Sequence, residues 1–280
     1  MRNYVLILLC VISFCRGQYI SGGNPTTIST YPFAASLLTN SGSGTSFQYA
    51  CGGSILTATA VLSAATCFYT DDDIDEPGWW QVRAGSSNAN SGGTVVQVVQ
   101  ITPHPDFNLL TLDYDLAVLR TEPITLQPGV AEAARIAGGA FQFAKNQRVL
   151  AVGWGSSLAS ALVLIVITNL TTYLLIFKDN LPGELTHVQT FAIDQDVCAV
   201  RYNDFGFEIT DNMVCVGWLD VGVHGQCPEG GAGSALVVDG VVVGVYSWSQ
   251  GCATLRYPNI NTRLAPHWRW ILAVGIAAID

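Results

Sequence analysis

Hydrophobic positions along the chain fall in short runs rich in Val, Ile, Tyr and Trp, separated by clusters of Gly, Ser, Asn and Pro. This pattern predicts strands rather than helices. Clear runs lie at 81–84, 94–102, 116–120, 147–152 and 187–193. Ala235-Leu-Val-Val, then Asp239-Gly240, then Val241-Val-Val-Gly-Val predicts a hairpin, because Asp-Gly fits a tight two-residue turn. Helical patterning is scarce. A short helix is predicted over 194–201. A C-terminal one begins near Pro266 and puts Trp268, Ile271, Leu272 and Gly275 on one face, as a docked helix needs. Many strands and few helices point to an all-β barrel architecture rather than a parallel sheet.

The first seventeen residues break the pattern. Arg2 gives a charged start, Tyr4 to Phe14 is an almost unbroken apolar run, and Cys15-Arg16-Gly17 ends it with small residues at the positions a signal peptidase reads. This predicts a signal peptide over 1–17, a secreted, extracellular protein, and no membrane association once the leader is removed. Its loss leaves 10 Lys and Arg against 21 Asp and Glu, a net charge of −11. An acidic chain without a basic run argues against nucleic acid or anionic lipid as partner. Cys10 and Cys15 leave with the leader, and the six remaining cysteines of an exported protein favour disulfides over a metal site. No C-x-x-C or H-x-x-x-H is present, so no metal and no cofactor is expected.

Six motifs then occur in order: Cys51-Gly-Gly-Ser-Ile-Leu with Val61-Leu-Ser-Ala-Ala-Thr-Cys67, Asp115-Leu-Ala-Val-Leu, Gly153-Trp-Gly, Asn212-Met-Val-Cys215, Ser247-Trp248, and Gly251-Cys252. In order and near-spacing they resemble the trypsin/chymotrypsin-like serine proteases, insect-type, across residues 20 to 272. The resemblance implies two antiparallel six-stranded β-barrels and a C-terminal α-helix, with a cleft between the barrels. The expected domain is 18–280, with barrel 1 over about 30–130, barrel 2 over about 131–264 and the helix over about 266–278. It also implies disulfides Cys51–Cys67, Cys198–Cys215 and Cys227–Cys252, and a monomer is expected. Each bridge closes a short loop, worth about 3 kcal/mol in the loop-entropy account.

The resemblance implies a Ser nucleophile, a His that takes its proton and an Asp that orients the His. Here the His position holds Thr66, whose hydroxyl is no general base near neutral pH. The Ser position falls on Ala232 counting back from Leu236, or on Gly231 counting forward from Cys227. Ser234 lies two residues from the first of these. Only Asp115 of the triad matches, and its expected role is structural, bonded to Ser247 and backbone amides, with water or the Thr66 hydroxyl where the imidazole would be. His104, His187, His224 and His267 are expected to be surface or packing residues.

Activation and specificity depart too. The segment Tyr19-Ile20-Ser21-Gly22-Gly23 carries no basic residue before Ile20, and the carboxylate that would receive a new N-terminus is replaced by Gly231, or Gly230 in the other register. Cleavage activation is therefore not expected, and the mature chain would start at Gln18. The specificity-pocket positions implied by the resemblance are Gly225, Ser247, Trp248 and Asn259. Gly225 stands where a trypsin keeps its pocket-base Asp, and Asn261 where it keeps a Tyr, so nothing there matches an Arg or Lys side chain.

Two further segments stand out. Residues 156–184 form an apolar insertion in a barrel-2 loop, including twenty uncharged residues from Leu158 to Phe177. A membrane span is rejected because the segment interrupts one barrel; a retained intron is the competing explanation. It contains the sequon Asn169-Leu170-Thr171. Asp71-Asp-Asp-Ile-Asp75-Glu76 reads as a solvated acidic loop, since it lacks the spacing of a calcium loop. The sequence thus reads as a secreted, proteolytically inactive serine protease homologue that binds a protein partner or a protease inhibitor. The rival reading is a serine-type endopeptidase, as the family resemblance implies.

Overall fold

The computed structural model describes residues 23–42, 46–154, 165–168, 171–174, 183–221, 225–227, 231–251 and 254–276. The expected leader, Tyr19–Gly22 ahead of Gly23, the sequon asparagine, His224, Gly230 and Cys252 lie outside them.

Twelve strands form two barrels. In the first, β1 (Ala34–Thr39), β2 (Gln48–Thr57), β3 (Ala60–Ser63), β4 (Trp80–Ala84), β5 (Thr94–Pro103) and β6 (Ala117–Thr121) close in the order β1-β2-β3-β6-β5-β4. In the second, β7 (Arg148–Gly153), β8 (Thr186–Ala192), β9 (Met213–Gly217), β10 (Ala235–Val238), β11 (Val241–Trp248) and β12 (Asn259–Arg263) run β8-β7-β10-β11-β12-β9, and a β8–β9 pairing closes the ring. Every pairing between these strands is antiparallel. Asn24–Pro25 adds to the edge of β8. Within the insertion, Ile165–Thr168 pairs with Thr171–Leu174 as a hairpin. Among the described residues no helix is long and apolar enough to cross a membrane.

The near-continuous apolar strands have a simple cause. In β6, Ala117 and Leu119 point into barrel 1, while Val118 joins the layer between the barrels. In β10, Leu236 and Val238 fill barrel 2, while Ala235 and Val237 face that same layer. Side chains alternate along a strand, so a strand with a barrel interior on one side and a partner barrel on the other is apolar at every position. Leu62, Leu116, Trp154, Val245 and Ile271 complete the inter-barrel layer. A buried Leu or Val there contributes about 2 kcal/mol. This layer holds the two barrels at the fixed spacing on which any cleft between them depends.

The predicted strands are present within a residue or two of their expected limits. The Asp239-Gly240 turn has φ of 47° and 74°, the left-handed geometry of a two-residue hairpin, and Val238 pairs with Val241 across it. The short helix is α1 (Gln195–Asn203), capped by the Asp194 carboxylate, which accepts from the amides of Asp196 and Val197. Disulfide Cys198–Cys215 ties α1 to β9, and Cys51–Cys67 ties β2 to the turn after β3. Cys227 is disulfide-bonded as well.

The C-terminal helix differs in detail. A tight turn over Ala265–His267 precedes α2 (Trp268–Ile276). Ile271 and Gly275 are buried as expected, but Leu272 is exposed, and Trp270 and Val274 pack on the core instead. The turn rotates the apolar stripe by about one position. Arg120 of β6 donates to the carbonyl of Gly275 at 2.7 Å and so caps the helix against barrel 1. The acidic loop also differs: Asp75 is buried and accepts from the indole nitrogen of Trp80 at 2.9 Å, while Asp71 to Asp73 are exposed.

Candidate active site between the barrels

Asp115 immediately precedes Leu116 and β6, so the inter-barrel layer buries it completely. One oxygen, Oδ1, accepts from the backbone amide of Thr66 at 2.7 Å. The other, Oδ2, accepts from the Ser247 hydroxyl at 2.5 Å. The Ala65 amide adds a further bond. Burial pushes the Asp115 carboxyl up to about 6, and these three donors hold it from rising further. Its own carbonyl accepts from the Thr262 hydroxyl at 3.1 Å, which anchors the residue to β12. The donor that Thr66 gives to the carboxylate is its backbone amide, in line with the expected bonds to backbone amides. The amide is available because Thr66 lies in the tight turn Ala65–Phe68, held by Cys67.

Ala232 lies where the two barrels meet. Its carbonyl accepts from the Gly52 amide at 2.8 Å, and Gly233 donates to the Tyr246 carbonyl at 2.9 Å. Ser63 donates to the Gly52 carbonyl at 2.8 Å, completing a backbone link from β3 through β2 to the Ala232 turn. Ala232 packs against both the inter-barrel layer and the barrel-1 core. Its methyl group brings no nucleophile to this turn. Gly231 has no room for a side chain: a Cβ there would collide with the Cys227 carbonyl. Ser234, the nearest hydroxyl in sequence, is buried at 4% exposure, and its side chain sits where any Cβ on Gly52 or Gly153 would be. Burial pushes the nearby Tyr49 hydroxyl up. Ser234 is thus wedged between a barrel-1 strand and a barrel-2 strand.

No described histidine bonds to Asp115. His104 and His267 are buried together, with ring centroids 5.0 Å apart, against Tyr114 and Trp270. Burial pushes the pKa of His104 down, and that of His267 down to about 4, with His104 itself the second cause for His267. His187 is half-buried, with Nδ1 2.7 Å from the Tyr31 hydroxyl. Among the described residues no group of His, Cys, Asp and Glu could hold a metal ion.

The remaining singled-out positions cluster near Trp248. Asn259 turns its amide onto the backbone of Gln226, accepting from its N–H at 3.0 Å and donating to its carbonyl at 2.7 Å. Gly225 is buried beside Gln226, and Ser247 and half-buried Trp248 end β11. Two contributors were not foreseen in the sequence: Tyr246 and Gln226. Only Tyr246 carried a signal, as a large aromatic side chain that follows five Val and Gly residues in its strand.

A family model described as Trypsin matches residues 20–271. Trypsin CFT-1 of Choristoneura fumiferana is 39% identical over 277 residues, covering 96% of this chain and 97% of that protein. Trypsin, alkaline A, of Manduca sexta is 40% identical over 256 residues, covering 91% and 90% respectively. Achelase-1 of Lonomia achelous is 38% identical over 229 residues, covering 81% and 95%. With two six-stranded barrels, a carboxylate buried between them and likeness along nearly its whole length, the chain belongs to the trypsin family of serine proteases.

Proposed function

We propose that this trypsin-family protein binds rather than cleaves: a secreted serine protease homologue whose triad positions are Thr66, Asp115 and Ala232. The observation that carries the reading is the state of Asp115. Both its oxygens are engaged by Thr66 and Ser247, and no described imidazole accompanies them. A triad without a base and a nucleophile has no route to an acyl-enzyme. The leader over 1–17 fits export, and the barrel surface, held by disulfides, fits recognition of a protein partner or a protease inhibitor.

A second reading is serine-type endopeptidase activity, and the comparisons favour it over loss of activity. The relatives reported above include two named trypsins, at 39% and 40% identity. Hydrolysis of labelled casein by the purified secreted protein separates the two readings. The binding reading expects no release above the blank. Release that a serine-protease inhibitor stops would establish the second reading instead.

A further inference from the structure

Tyr246 is completely buried, yet it belongs to none of the apolar clusters of the barrels. Its ring lies against the turn that carries Ala232: a Cβ on Gly231 would sit 3.0 Å from it. Its hydroxyl reaches to within 2.8 Å of the Ser249 hydroxyl, which in turn donates to the Gly251 carbonyl at 2.7 Å. The ring therefore spans from β11 to the 249–251 segment, alongside Ser247 and Trp248.

Amides share the sheet face of this ring. Tyr246 stands opposite Asn261 on β12, so the two side chains share one face of the sheet. Asn259, two residues earlier on the same strand, shares that face and clamps the Gln226 backbone. The side-chain amides of Gln226 and Asn261 are buried at 3% and 0% exposure and, among the described residues, take no hydrogen bond. Leaving two buried amides unpaired is costly, by about 1–3 kcal/mol for each polar group. Polar walls around a phenol ring mark a recognition pocket better than they mark a core.

We propose that Tyr246 is an internal occupant of the specificity pocket, holding with its ring the place a bound polypeptide's side chain would take. The inference rests on the pocket positions Gly225, Ser247, Trp248 and Asn259 assigned above. A partner then engages the protein without inserting a side chain there. With the ring removed, the pocket takes a small, planar, uncharged group that pairs with amides, and it does not take a cation.

Benzamide is the probe, with binding to the full secreted chain followed by ligand-observed NMR. The native protein should not bind it. Tyr246→Val should bind it at least roughly tenfold more tightly, as vacated ring-sized cavities bind small aromatic molecules. Equal binding by the native protein overturns the proposal, as does a folded Tyr246→Val protein that binds none. Ser249→Ala covers a Tyr246→Val chain that does not fold. It unlatches the ring at a partly exposed position, and benzamide binding should appear; its absence there also overturns the proposal. Fluorophosphonate labelling of the same samples reports separately on the non-catalytic reading, so the two can fail independently.

Discussion

The amide of Thr66 donates to Oδ1 of Asp115 at 2.7 Å, while Ser247 donates to Oδ2 from the other barrel. The carboxylate is retained because three donors converge on it from both barrels. Asp115 is thus a junction between the turn after β3, the end of β11 and the start of β6.

The pH dependence of stability tests this role. The folded-state pKa of Asp115 is pushed up to about 6, above its ordinary value of 3.8. The folded protein therefore holds the proton over a range where the unfolded chain releases it. Stability from this group is full below pH 4 and is lost as pH rises toward 6, by on the order of 3 kcal/mol. Asp115→Asn should remove that decline in urea unfolding at pH 4.5 and 7. Asp115→Ala should instead destabilise at both pH values by about 2–4 kcal/mol, because Thr66, Ala65 and Ser247 lose their acceptor.

His267 acts in the opposite direction. Its pKa is pushed down to about 4 by burial and by His104 beside it, with Asp113 and Asp106 partly offsetting this. The unfolded chain takes the proton first, so stability is lost as pH falls from about 6.5 toward 4. Replacing the ring by an uncharged amide, His267→Gln, should flatten the acid limb of the stability profile. Thermal unfolding between pH 4 and 7 would show it, and an unchanged acid limb would count against this assignment.

Gly153 and Ser234 should couple strongly. A Cβ on Gly153 would collide first with the Ser234 side chain, 2.3 Å from its hydroxyl oxygen. Gly153→Ala is expected to destabilise by about 1–3 kcal/mol through overpacking. In Ser234→Gly it should cost much less, giving a coupling of about 1–2 kcal/mol in a double-mutant cycle read by denaturant unfolding.

Much of the fold was legible because strand patterning, the Asp-Gly turn and the ordered cysteine motifs all reflect local rules. The Asp239-Gly240 hairpin needs only its own residues, and it formed as expected. Leu272 did not face the core because the turn at Ala265–His267, set by tertiary packing, rotates the helix that follows. Asp75 is buried because Trp80, five residues on, supplies a donor, a pairing that a run of carboxylates does not reveal. The partners of Asp115 were foreseeable through the family motif. The burial of Tyr246 was not, since the residues that surround it come from segments near 231, 249 and 261 and meet only in the folded chain.

The central claim concerns the cleft itself, and one measurement reaches it directly: labelling of the purified secreted protein by a fluorophosphonate probe, beside an active trypsin. The account predicts no labelling of a protein that unfolds cooperatively on heating. Labelling that maps to Ser234, or to any other serine of the chain, would contradict it.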